Sequence, residues 1–172
     1  MAAAGDYGRA REQIQALLKS KPENSSFLLA AADVEMKAGD YEAAFRHYAT
    51  AQNLYPDYRP VVLSYSEALL KAKRPVEAKK LLKNYAKYNT PDLTYFNYLT
   101  RAEEESGNSV EAGIANAEYY YLSGETRVAI ERLRYILQQR DLQPDYYQQE
   151  RIQARIAFYQ QDLEIERVML KK

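Results

Sequence analysis

The chain has 172 residues, with 24 basic and 24 acidic side chains, one histidine, no cysteine and no tryptophan. Zero net charge supplies no long-range field to gather nucleic acid or an anionic membrane, and the missing thiols exclude disulfides, thiolate zinc sites and cysteine nucleophiles while leaving the compartment open. No run approaches the roughly 20 apolar residues that span a bilayer, so no membrane insertion is expected, and Met1-Ala2-Ala3-Ala4 has neither the basic region nor the apolar core of a signal peptide.

Taken in order, the chain reads as a series of amphipathic helices. Ala10, Ile14, Leu17 and Leu18 recur at helical spacing between Asp6 and about Ser20, and a break opens at Pro22. Leu28, Ala31 and Ala32 mark a helix over 27–38, and Ala44, Phe45, Tyr48 and Ala51 mark its partner over 41–53. Val62, Tyr65, Leu69 and Leu70 stripe 60–72, and Ala78, Leu81, Leu82 and Tyr85 stripe 76–88. Phe96, Leu99 and Ala102 follow within 92–106, where Glu103-Glu104-Glu105 reads as a solvated face at a helix end that disfavours acids. Helix 109–122 comes next, then 127–139 with Ala129, Ile130, Leu133 and Ile136 on one wide apolar face. Pro144-Asp145 restarts the chain, and Ile152, Ile156, Tyr159 and Leu163 form an apolar seam that reads as a capping helix over the end of the stack.

One turn organises these helices. In Gly39-Asp40-Tyr41-Glu42-Ala43-Ala44, the glycine can take the positive φ that closes a helix, the aspartate can cap the next, and Ala44 lets two helices approach closely. Ala10, Ala44, Ala78 and Ala112 recur every 34 residues, Gly5, Gly39 and Gly107 fall on the same grid, and Lys73 stands where a glycine is missing. From residue 107 the interval halves, since Gly107 and Gly124, like Ala112 and Ala129, are 17 apart. Helix 109–122 therefore serves as the end of one pair and the start of the next.

A period of roughly 34 residues is that of tetratricopeptide repeats, and Gly39-Asp40-Tyr41, Ala44, Tyr48, Ala51 and Pro56 resemble the family's helix-turn-helix pattern. The resemblance implies an all-α, right-handed superhelical solenoid that holds a protein or peptide partner in its concave groove. On this reading 1–172 is one domain, with a partial repeat over 1–24, repeats over 25–58, 59–92 and 93–124, and a further helix pair and cap over 125–172. Gly5-Asp6-Tyr7 looks like the turn of a repeat whose first helix precedes it, which suggests a fragment of a longer protein.

Little in the chain suggests chemistry. His47 has no second histidine one turn away and no companion base, so neither a metal site, a cofactor site nor a catalytic constellation is expected. Tyrosine is unusually frequent, at 17. Tyr41, Tyr48, Tyr65 and Tyr85 fall on the packing positions of the repeat, whereas Tyr119, Tyr120 and Tyr121 cannot all face one way on a helix. At least one of the three should be exposed or lie at a groove edge.

The resemblance also implies a partner-binding face built from first-helix side chains. Carried onto this chain these are Leu29, Asp33 and Met36, then Leu63, Glu67 and Leu70, then Asn97, Arg101 and Glu104. Asp33 and Glu67 would repel a partner's terminal carboxylate, which disfavours a carboxylate-clamp cochaperone.

The C-terminal third is more specific. Ala117-Glu118-Tyr119-Tyr120-Tyr121-Leu122-Ser123-Gly124, Ala129-Ile130, Leu133, Tyr146-Tyr147-Gln148 and Arg151-Ile152-Gln153-Ala154-Arg155-Ile156 resemble the end of the BepA-type periplasmic zinc metalloproteases. Those proteins join a zinc protease domain to a C-terminal repeat domain. The resemblance implies a periplasmic, non-catalytic docking module whose partners are the outer-membrane β-barrel assembly machinery, unfolded outer-membrane proteins and its own protease domain. Zinc would belong to that upstream domain, because the H-E-x-x-H helix that holds it is absent here. The alternative is a free-standing repeat adaptor in assembly or secretion, in the cytoplasm, with no protease domain.

Overall fold

A computed structural model describes residues 7–169; the turn expected at Gly5-Asp6 lies outside the described residues. Nine helices account for the described secondary structure: α1 (Tyr7–Ser20), α2 (Ser25–Ala38), α3 (Tyr41–Leu54), α4 (Arg59–Lys71), α5 (Pro75–Tyr85), α6 (Leu93–Glu105), α7 (Ser109–Leu122), α8 (Thr126–Gln138) and α9 (Tyr146–Met169). The described residues gather into two compact units that divide between Asn89 and Thr90.

Side-chain caps start several of these helices. Asn24, Asp40 and Asp92 each accept the backbone N–H three residues on through Oδ1, at 3.1, 3.0 and 2.9 Å, and so satisfy one orphan amide of α2, α3 and α6. The turns between paired helices share one backbone device. Gly39, Lys73, Gly107 and Gly124 all have positive φ, at 82°, 59°, 77° and 83°. In each case the next residue's N–H reaches the carbonyl five positions back: Asp40 to Glu35, Arg74 to Leu69, Asn108 to Glu103 and Glu125 to Tyr120, all within 2.8–2.9 Å. This is the six-to-one bond of a Schellman closure, and its recurrence on the 34- and 17-residue grid is the physical content of the repeat.

In the first unit, α2 pairs with α3 and α4 with α5, while α1 lies on α2 and α4 returns to both α2 and α3. Ala32, Ala44, Ala51 and Ala78 are all fully buried, so the helices meet at alanine where a larger side chain would hold them apart. Leu28, Ala51 and Val61 form one core cluster, and Tyr48 stacks on Tyr65 with ring centroids 5.1 Å apart. In the second unit α7 packs against both α6 and α8, as the halved interval predicts. Gly113 is needed there for space: a Cβ would fall 2.7 Å from Ile136 Cδ1. Helix α9 lies on α8 and α7 through the fully buried Ile152 and Tyr159, with Ile156 and Leu163 packed alongside. The expected apolar seam is thus the contact face of the last helix.

Three expectations are corrected. Tyr41 is 44% exposed rather than core, because it is the first residue of α3 and projects before the helices converge. Glu103 is buried, not solvated: it accepts from Asn108 Nδ2 at 2.8 Å where α6 turns into α7. Helix α5 stops at Tyr85, and 86–88 form a turn instead of a further helical turn.

Lys73 holds a left-handed conformation that costs an L-residue about 1–2 kcal/mol, offset in part by the larger chain entropy of glycine. Lys73→Gly relieves that strain and gives up the interaction Lys73 makes, so stability in urea unfolding is expected to rise by no more than about 0.5 kcal/mol. A midpoint lowered by more than that would show that the interaction outweighs the backbone strain.

Candidate partner-binding clefts

Helices α2 and α4 of the first unit bring four of the nine carried-over positions together. Leu29, Asp33, Met36 and Glu67 line one cleft of about 240 Å³, with Tyr48, Ser64, Ala68 and Lys71. Asp33 and Glu67 are one repeat period apart, so they occupy equivalent places on neighbouring helices. Each carboxylate is bonded at 2.6 Å to the lysine one turn on, Lys37 and Lys71, whose side chains are 62% and 60% exposed. At the base, Tyr48 is only 5% exposed. Its hydroxyl titrates at a value pushed up to about 12, first by burial and then by the charges of Asp33 and Glu67. Both carboxylates therefore act on the same phenol.

The other carried-over positions are placed differently. Leu63 and Leu70 are 7% and 0% exposed, because α4 is enclosed on almost every side; Val61, Val62, Ser66, Ala68 and Leu69 are buried as well. These two leucines belong to the packing, which corrects their assignment to a partner-binding face. In the second unit Asn97 is exposed, Arg101 is half-buried 3.9 Å from Glu105, and Glu104 is exposed beside Gly113, Tyr120 and Arg132.

The second unit has its own cleft, about 450 Å³, walled by α6 and α9 over a floor of α7. On α6 it uses Phe96 and Leu99, expected to be packing residues, and Glu103, expected to be solvated, rather than the neighbouring Asn97, Arg101 and Glu104. Ile114 and Ala115 supply its apolar floor, and Ala154 with Arg151 and Arg155 its far wall. The α9 wall is held in register by ion pairs: Arg151 to Glu111 at 3.1 Å and a two-pronged bond from Arg155 to Glu118. Gln148 Nε2 donates to Glu111, and the Tyr121 hydroxyl donates to Asp162 at 3.1 Å. Residue numbers rise together along both helices, so α7 and α9 run in the same direction. The positions on α9 could not be found from the repeat grid, which ends before them.

The tyrosine run divides as the helical rotation demands. Tyr121 stacks on Tyr159 at 4.2 Å, Tyr120 lines the α7–α8 side under the Arg132 guanidinium at 5.5 Å, and Tyr119 meets Tyr120 edge to face. His47 is half-buried on α3 with its pKa lowered by that burial. Among the described residues no group of three or more His, Cys, Asp or Glu side chains could hold a metal ion, and no helix is long and apolar enough to cross a membrane.

Comparison with known proteins agrees with this geometry. Tetratricopeptide-repeat family models match residues 2–59 and 35–97. The chain is 31% identical over 131 residues to the β-barrel assembly-enhancing proteases of Escherichia coli K12, Shigella flexneri and Escherichia coli O157:H7. That match takes in 76% of this chain and 26% of each relative, so the chain spans about a quarter of the length of the curated relatives it matches. Among solved structures, a tetratricopeptide repeat protein from Parabacteroides merdae superposes with a TM-score of 0.56 at 15% identity, covering 93% of this chain and 72% of that one.

Because the folded Tyr48 pKa lies above that of an unfolded tyrosine, its contribution to stability is complete below about pH 10 and is lost as pH rises from there through about 12. Urea midpoints between pH 8 and 11 should fall more steeply for the wild type than for Tyr48→Phe. Parallel curves would mean that Tyr48 is not buried beside the two carboxylates.

Proposed function

We propose that this chain, which belongs to the tetratricopeptide-repeat family, docks a periplasmic metalloprotease with chaperone activity onto the outer-membrane β-barrel assembly machinery or its substrates. Tetratricopeptide repeats are a non-catalytic fold that binds proteins, and that part of the reading needs only the family. What supports the finer part is one observation, the 31% identity over 131 residues to proteases named for enhancing β-barrel assembly. The clefts suit the task, since each joins an apolar base to a few charged side chains at its edge, the arrangement that fixes a polypeptide segment by burial and orients it by charge. Zinc and peptide hydrolysis would belong to a separate protease domain of the full-length protein.

A free-standing adaptor for assembly or secretion is the second reading. It draws on the repeat-family match alone, which calls for a protein-binding module and not for a protease partner.

The purified chain should bind detergent-solubilised β-barrel assembly complex in biolayer interferometry with a Kd on the order of micromolar, as for a module of modest interface. Absence of binding at about 100-fold higher concentration overturns the docking role and favours the adaptor. Casein should remain intact in the presence of the chain and added zinc.

A further inference from the structure

We propose that the α2–α4 cleft takes a lysine or arginine side chain presented by an extended, otherwise apolar segment of a partner polypeptide, with the cation set between Asp33 and Glu67 over the Tyr48 hydroxyl. The inference deepens the reading of the chain as a partner-binding module and rests on it.

Three independent features point to this occupant. First, the cleft is small, about 240 Å³, with Leu29, Met36 and Ala68 along its walls. That is room for one long side chain and not for a helix, and an alkyl stem would lie on apolar atoms with its charge at the polar end. Second, the two carboxylates Asp33 and Glu67 come from equivalent positions on adjacent helices, and the lysines that balance them, Lys37 and Lys71, have side chains 62% and 60% exposed. A cation between them meets both. Third, Tyr48 is more than nine-tenths buried and lines the cleft, and its hydroxyl makes no hydrogen bond among the described residues while staying open to the cleft, so an entering donor meets a free oxygen there. Its ring is fixed by the stack on Tyr65, so the oxygen cannot turn away, and it is placed to accept from an ammonium or guanidinium.

The lysines already bonded to Asp33 and Glu67 do not fill this role. Their side chains are mostly exposed, and solvent-screened pairs one helical turn apart are worth well under about 1 kcal/mol. A cation held inside the cleft competes for the same oxygens where water is partly excluded.

The test uses the full chain and capped heptapeptides of alanine and leucine with one central residue: lysine, arginine, norleucine or glutamate. Norleucine keeps the alkyl stem and removes the charge. In fluorescence anisotropy, lysine and arginine peptides should bind at least about 10-fold more tightly than norleucine, and glutamate most weakly. The double variant Asp33→Asn, Glu67→Gln should bring lysine and norleucine within about twofold of each other, and Tyr48→Phe should weaken lysine binding while leaving norleucine unchanged. Since each variant could disturb folding, Asp33→Lys with Glu67→Lys supplies a gain of function: preference should turn to glutamate. Equal binding of lysine and norleucine by the wild type, a wild-type preference for glutamate, or no binding of any peptide at millimolar concentration overturns the proposal. The same variants separate it from the docking role. A lysine preference without binding to the assembly complex leaves the cleft chemistry standing alone, whereas unchanged binding of the complex by the Asn/Gln variant places docking on another surface and rejects this cleft as its site.

Discussion

The left-handed residue at each hairpin turn is the constraint on which the rest depends. A helix that ends with a positive φ and a six-to-one backbone bond must send the chain back along itself within two or three residues, whatever its side chains are. Asp40, Arg74, Asn108 and Glu125 differ in charge and size, yet their N–H groups make the same bond at nearly the same distance. Because the reversal is so tight, the partner helices start close together, and the buried alanines Ala44, Ala78, Ala112 and Ala129 let them stay close. Lys73 shows which part of the device is indispensable. With φ at 59° it takes the conformation that glycine takes at the other three turns, so the backbone geometry is kept even where the residue best suited to it is not.

That dependence explains what was legible in the sequence. Helix positions, the double duty of α7 and the seam Ile152, Ile156, Tyr159 and Leu163 could all be read, because each follows from a period tied to a turn or a stripe. Asp33 and Glu67 were legible for the same reason, being one period apart on first helices. The period stops informing where the surroundings of a helix break the repeat. Helix α4 is buried on nearly every side, so Leu63 and Leu70 are core although their equivalents Leu29 and Met36 are only partly buried. In the second unit the wall supplied by α9 has no counterpart in the grid, and it makes a cleft of Phe96, Leu99 and Glu103, one column away from the expected side chains. Burial of Glu103 was hidden by its two exposed acidic neighbours, since a run of like charges gives no sign of which member turns inward toward Asn108.

Charge has two uses in this neutral chain, and exposure tells them apart. Lys37 with Asp33 and Lys71 with Glu67 lie on an open rim, where water screens them and either partner can be exchanged. Glu118 is different: its side chain is 11% exposed and both its oxygens accept from Arg155. Removing the arginine would leave a carboxylate largely cut off from water, a larger loss than the intact pair gains over two apolar residues. Such a pair adds little net stability and acts chiefly against misplacement.

Its consequence lies in the register of α9. The apolar contacts of Ile152, Ile156, Tyr159 and Leu163 are spaced by four, three and four, so a slide of one turn along α8 would present a similar apolar row. The polar contacts would not survive that slide. Arg155 would leave Glu118, Arg151 and Gln148 would leave Glu111, and Asp162 would leave the Tyr121 hydroxyl. Hydrophobic burial therefore holds α9 against the second unit, while these directional contacts with α7 decide where along it the helix stops. The far wall of the larger cleft, built from Arg151, Ala154 and Arg155, is placed by the second effect and not by the first.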